Sequence, residues 1–182
     1  APASYTYTCP NLFTRCYVNG TIAGESNIGS FIGISEKLYS TGIYNCHSSA
    51  NLKISKNNCG GFFGVFFNPI FDNSHLNSIN NSYFNGTIEC SNLITSKPIV
   101  GQDNEYIVYN DVYYDAETLS NIIKTNDGII GLSSERLTDK NAFSCNFKYQ
   151  YMSSQNPVWR FIPEYAPKLY FENKSYFFIY FD

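Results

Sequence analysis

Phe143-Ser-Cys-Asn-Phe-Lys-Tyr-Gln-Tyr-Met152 carries the clearest periodicity in the chain. Cys145, Phe147, Tyr149 and Tyr151 would share one face of an extended segment, and Asn146, Lys148 and Gln150 the other. That alternation is the pattern of a half-buried strand. Downstream, Leu169–Phe171, a polar tip and Tyr176–Phe181 read as a terminal hairpin. Upstream, Tyr106–Tyr109 and Val112–Tyr114 read as strands, and Asn126-Asp-Gly128 is a turn signal. Ala116–Lys124 reads as a short helix capped by Asp115, with Leu119, Ile122 and Ile123 on one face. Nearer the N-terminus, Ser30–Ile34 and Leu52–Ser55 are strand-like pieces among Gly, Ser and Asn. The most apolar run, Gly60-Gly-Phe-Phe-Gly-Val-Phe-Phe67, reads as a strand buried on both faces. No internal repeat and no low-complexity linker is read. Many short strands between turn clusters predict a mainly β fold. The expected form is an antiparallel β-sandwich, galectin-like or lectin-like, with short helical turns and long loops, in one domain over residues 1–182.

Composition narrows the function classes. Only 15% of the 182 residues are charged, 18% are aromatic, and the net charge is −3. A phosphate backbone calls for clustered Lys and Arg, so nucleic acid is excluded as a partner. No apolar run is long enough for a spanning helix. The start, Ala1-Pro-Ala-Ser4, lacks a leader's basic and apolar segments, and Phe181-Asp182 ends directly on a strand-like run. The expectation is a piece excised from a longer, extracellular glycoprotein.

The six cysteines, Cys9, Cys16, Cys46, Cys59, Cys90 and Cys145, are even in number and contain no Cys-x-x-Cys pair. That favours three disulfides over a zinc site. Pairing neighbours in sequence would give Cys9–Cys16, Cys46–Cys59 and Cys90–Cys145, among 15 formal connectivities. Sequons stand at Asn19, Asn80, Asn85 and Asn173. An Asn-rich chain generates such motifs by chance, so their turn-like settings carry what weight they have.

Catalytic signatures are absent. With His47 and His75 as the only histidines, a Ser-His-Asp arrangement is thin, and no Gly-x-Ser-x-Gly elbow or phosphate loop occurs. No metal or cofactor is implied. Binding suits the composition better, since rings and neutral donors recognise sugars and proteins without high charge. Gln155-Asn-Pro-Val-Trp-Arg160 combines loop chemistry with the single Trp. Trp159 and Arg160 are therefore the first candidate ligand-binding residues. Tyr113 or Tyr114, whichever faces outward, comes next.

Several short stretches resemble coronavirus attachment glycoproteins. Cys9-x6-Cys16-Tyr-Val-Asn-Gly20, Val112-Tyr-Tyr-Asp115, Asp127-Gly-Ile-Ile-Gly-Leu-Ser133 and Phe143-Ser-Cys-Asn-Phe147 resemble the lectin domain of hemagglutinin-esterases. Phe66-Phe-Asn-Pro-Ile-Phe-Asp72 followed by Asn85-Gly-Thr and Cys90, and Ser144-Cys-Asn-Phe-Lys148 with the ending that runs from Leu169-Tyr-Phe171 to Tyr180-Phe-Asp182, resemble spike N-terminal domains. The esterase's Gly-Asp-Ser motif is missing, so no esterase activity carries over, and no sugar-contacting residues carry over either. The resemblance implies a β-sandwich viral attachment domain on a virion or cell surface. It would bind sialylated glycans or a host receptor protein, within an oligomeric surface glycoprotein. The alternative is a secreted or structural β adhesion module of non-viral origin without glycan binding.

Overall fold

In a computed structural model the chain is a parallel β-solenoid with a C-terminal cap, described over residues 11–35, 41–66, 77–90, 95–102, 107–122, 126–149, 151–153 and 156–172. The first coil holds β1 (Asn11–Thr14), β2 (Tyr17–Val18), β3 (Thr21–Gly24) and β4 (Ile32–Ser35). The second holds β5 (Thr41–Tyr44), β6 (His47–Ser48), β7 (Asn51–Ile54), β8 (Cys59–Gly60) and β9 (Phe63–Phe66). The third holds β10 (Asn77–Phe84), β11 (Thr87–Cys90), β12 (Ser96–Lys97) and β13 (Val100–Gln102). β14 (Ile107–Asp115) and β15 (Ile130–Leu132) complete the stack.

Every pairing among these strands is parallel. Asn11 faces Thr41, Gly42 faces Ser78, and Asn77 faces Ile107, so one full turn of chain separates partners. The same stacking recurs on two further sheets, β3-β7-β11 and β4-β9-β13. The expected antiparallel sandwich is thereby corrected. Parallel neighbours need a long crossover, and here the remaining two faces of each coil supply it.

Register also reveals a repeat. Arg15-Cys-Tyr-Val18, Asn45-Cys-His-Ser48, Asn81-Ser-Tyr-Phe84 and Asp111-Val-Tyr-Tyr114 lie over one another. The first residue of each set has positive φ: 54° at Arg15, 54° at Asn45, 47° at Asn81 and 52° at Asp111. Asn and Asp tolerate the left-handed region better than other side chains because they bond locally. A single such residue bends the strand without ending the ladder. A second corner repeats the device at Asn27 and Asn58, where Asn58 Nδ2 donates to Asn27 Oδ1 at 2.8 Å.

The residue after each bend turns inward with Val18, Ser48 and Phe84 behind it. Inside, Ile43, Leu52, Phe62, Phe66, Ile79, Phe84, Ile88 and Val112 form the core. The apolar run is largely buried over its described residues, with Phe62 and Phe63 at 0% and 2% exposure. The single strand expected over Gly60–Phe67 is broken by a bend at Gly61-Phe62 between β8 and β9, and Phe67 lies outside the described residues. Gly64 sits where a Cβ would lie 2.2 Å from the Asn27 carbonyl carbon, so neighbouring coils touch backbone to backbone there. Buried Asn126 closes the last coil. Its Oδ1 accepts from the Ile99 and Val100 N–H groups at 3.3 and 3.1 Å, and its Nδ2 donates to Val100 O at 3.0 Å.

The positions before the inward ones, Tyr17, His47, Tyr83 and Tyr113, point outward. The cap covers the last three. It comprises two 3-10 turns, Arg136–Thr138 and Lys140–Ala142, and α1 (Cys145–Lys148). The hairpin-like pairs β16 (Tyr151–Ser153) with β17 (Asn156–Pro157), and β18 (Trp159–Arg160) with β19 (Lys168–Leu169), are antiparallel. Tyr83, Tyr113, Leu137, Phe143, Phe147, Val158, Trp159 and Leu169 make this second core.

Local expectations fare unevenly. Tyr106–Tyr109 and Val112–Tyr114 belong largely to the single strand β14, with Tyr106 outside the described residues. The helix expected over Ala116–Lys124 is not formed over its described residues, which run as turns, although Asp115 accepts from the Glu117 and Thr118 N–H groups at 3.0 Å each. The expected strand Phe143–Met152 is instead split. Ser144 accepts from the Phe147 N–H at 3.0 Å and starts α1, and among the described residues extended structure is next found at Tyr151. Leu169 pairs with Trp159. Tyr176–Phe181 lies outside the described residues.

Candidate functional site

The cap carries the larger of two candidate sites. Lys140, Lys148, Tyr149, Pro157, Trp159, Arg160, Phe161 and Tyr170 line a groove of about 500 Å³. Lys140 leaves the second 3-10 turn, Lys148 and Tyr149 the end of α1, and Arg160 strand β18. The rings hold the cations in place: Lys140 Nζ lies 5.3 Å from the Tyr149 ring centre and 5.8 Å from that of Phe161. The Arg160 guanidinium lies 5.7 Å from the Tyr170 ring centre and donates to Tyr170 O at 3.4 Å. Its Nε is buried without a partner. No carboxylate among the described residues lines the groove. Among the described residues, none of these three cations makes an ion pair. The carboxylate nearest in sequence, that of Asp139, accepts from the Asn141 N–H at 2.9 Å. Unpaired cations beside aromatic faces suit an anion carried on a ring-stacking scaffold.

The four candidates from sequence separate. Trp159 and Arg160 both line the groove, but they serve differently. Trp159 is 1% exposed and stacks on Phe147 at 4.7 Å with a 12° interplanar angle, so it anchors the cap core. Tyr113 is 2% exposed, and its hydroxyl accepts from the Ser144 N–H at 2.9 Å. Tyr114 packs against the solenoid core. Tyr113 is thus buried under the cap, and Tyr114 is half-buried against the coils. Sequence reasoning missed Lys140, Lys148 and Tyr149. Tyr149 is 54% exposed and is the groove's open ring. The available signal was the adjacent Lys148-Tyr149 close to a Trp-Arg pair, and it was hidden by reading Lys148 and Tyr149 as opposite faces of a strand.

A smaller cavity of about 200 Å³ lies where the cap meets the solenoid, lined by Tyr17, His47, Ser49, Tyr83, Lys168 and Glu172 among others. His47 Nε2 is 2.6 Å from Glu172 Oε1, and Glu172 also accepts from the Leu169 N–H at 2.5 Å. The imidazole is stacked between Tyr17 and Tyr83, with centroids at 5.6 and 5.0 Å. The Tyr83 hydroxyl donates to Pro167 O, and burial pushes its pKa well above the usual range. His47 Nδ1 has no partner, so the hydroxyl of Ser49 is not activated by it. The arrangement is a clasp between cap and solenoid and assembles no nucleophile.

Among the described residues, no three His, Cys, Asp or Glu side chains converge on a metal position, and no helix is long and apolar enough to cross a membrane. Cys16, Cys46, Cys59, Cys90 and Cys145 carry no disulfide, and Cys9 lies outside the described residues. Of the sequons, Asn19 is exposed. Asn80 Oδ1 accepts from Asn110 Nδ2 at 2.8 Å, Asn85 Oδ1 is buried, and Asn173 is not among the described residues. No protein-family model, curated protein or solved structure matches the chain.

Proposed function

We propose that this chain is an extracellular attachment module that binds a sialylated glycan in the cap groove. One observation carries the reading. Three of the chain's twelve Lys and Arg residues meet at one aromatic groove that no described acid lines, in a molecule whose net charge is −3. In this reading the sugar carboxylate is taken by Arg160 and Lys148, Lys140 closes the rim, and the sugar ring stacks on Tyr149. A charged hydrogen bond contributes about 1.5–3 kcal/mol and a stacked ring about 1 kcal/mol. Single-site affinity is then near-millimolar, and display in many copies makes it useful. The proposal stands on this groove and not on the antiparallel sandwich that the coronavirus resemblance implied. Placement on a virion or cell surface belongs to the proposal as well.

The test is a multivalent form of the protein on a glycan array, before and after sialidase. Binding to sialylated glycans that disappears with sialidase, and falls at least tenfold in Arg160→Ala with Lys148→Ala, is the expected result. No binding to sialylated glycans, with tight binding to sialidase-treated cells, would transfer the function to a protein receptor.

A further inference from the structure

Two cysteines occupy the same place in successive coils. Thr14 is in register with Tyr44 and Tyr17 with His47, so Cys16 stands directly over Cys46. Each follows a left-handed residue, Arg15 or Asn45, which fixes how its side chain leaves the backbone. Each thiol donates to the carbonyl two residues back, Cys16 Sγ to Thr14 O and Cys46 Sγ to Tyr44 O, both at 3.3 Å. The Cys16 N–H points at Cys46 Sγ, 3.4 Å away. Neighbouring strands lie about 4.8 Å apart, inside the roughly 4.4–6.8 Å between Cα atoms that a disulfide spans. Rotating one thiol off its carbonyl gives up only a weak S–H donor bond.

The third coil shows what the position requires. Ser82 stands there, with its Oγ donating to Asn80 O at 2.7 Å and accepting from the Cys46 N–H at 3.0 Å. A hydroxyl meets the hydrogen-bonding need of this corner. Thiols at both of the first two coils add a chemistry that the corner itself does not need.

We propose that Cys16 and Cys46 are a disulfide-forming pair that staples the first coil to the second, through exchange with a small-molecule disulfide such as oxidised glutathione. Cys16 is the more open thiol, whereas Cys46 is buried. The Cys16 thiolate attacks one sulfur of the glutathione disulfide and releases one glutathione. Cys46 then loses its proton to solvent and attacks the Cys16 sulfur, expelling the second glutathione. Two protein thiols are oxidised, and one glutathione disulfide is reduced to two thiols. Burial pushes the Cys46 thiol up to about 12, so the second step is slow near neutrality and accelerates as pH rises. The pairing differs from both neighbour pairings in sequence, Cys9–Cys16 and Cys46–Cys59. It holds whether or not the cap groove binds a glycan.

The experiment treats the whole reduced chain with oxidised glutathione at pH 8, alkylates the remaining thiols, and maps tryptic peptides by mass. Cleavage after Arg15, Lys37 and Lys53 places the two cysteines on separate peptides, 16–37 and 38–53. The expected product is these two joined, with two hydrogens lost. In Cys46→Ser, which keeps the hydroxyl of the third coil, Cys16 should carry glutathione and no protein cysteine. Cys16 bridged to Cys9 or to any other cysteine overturns the proposal. So does finding both thiols alkylated in a sample where exposed Cys145 has taken up glutathione, or Cys46→Ser leaving Cys16 bridged to another protein cysteine.

Discussion

Replacing Trp159 with alanine separates a core anchor from a ligand platform, because the two roles predict opposite readouts. The indole is 1% exposed and lies against Phe147 at 4.7 Å, with Tyr83 at 5.8 Å and His47 at 6.1 Å. With Phe147 and Phe143, it is one of the rings through which the cap reaches the aromatic column on the solenoid's outer face. Removing a buried Trp costs about 3–5 kcal/mol, from lost transfer energy and the cavity left behind. For a chain of this size each kcal/mol lowers the melting temperature by about 2–4 °C, so the expected drop is about 6–20 °C. The loss should also be local. A solenoid couples mainly neighbouring units, so amide exchange should quicken over 136–149 and 157–172. Protection should persist at Ile43, Leu52 and Ile79, deep in the coils. Calorimetry and exchange mass spectrometry read the two effects. An unchanged melting temperature with lost glycan binding would refute the anchor role and return Trp159 to the binding surface.

Two other outcomes test the solenoid itself. Gly64→Ala places a methyl 2.2 Å from the Asn27 carbonyl carbon and 2.5 Å from the Ile28 nitrogen. Backbone cannot yield there cheaply, so chemical denaturation should show a loss of at least about 1–3 kcal/mol, and Gly64→Ala as stable as the parent would contradict the close packing of coils. Burial also pushes the Cys46 and Cys59 thiols from 9.0 up to about 12. The unfolded chain therefore ionises these thiols before the folded one does. Stability of the reduced protein should be complete below pH 9 and decline between about 9 and 12, with the decline reduced in Cys46→Ser.

The β content, the buried Phe run, the Asp115 cap and the Asn126–Gly128 turn were legible because each is set by local pattern. The parallel topology was not. Its decisive residues are single left-handed corners at Arg15, Asn45, Asn81 and Asp111, which look like unrelated letters until register stacks them. Uneven spacing hid the repeat further, since Asn11 meets Thr41 thirty residues on but Gly42 meets Ser78 thirty-six residues on. Alternation misled at Phe143–Met152 because a serine cap outweighed it. Of the residues lining the candidate groove, Trp159 and Arg160 are singled out by their chemistry. Lys140 and Lys148 join them only through the cap's tertiary folding.

The aromatic column has a mechanical consequence. In a stack of parallel coils the backbone bonds run along the axis, so a pull on one end would open them one coil at a time, like a zipper. The cap lies across that direction. Trp159 and Phe147 press on Tyr83, Phe147 also meets Tyr113, and Glu172 grips His47, so residues from successive coils are tied to one rigid patch. A tensile load reaching the second coil is therefore shared sideways into the cap before the next seam opens. The first coil meets the cap's rings, among the described residues, at the partly exposed Tyr17 through Phe171, and is left as the part that gives first.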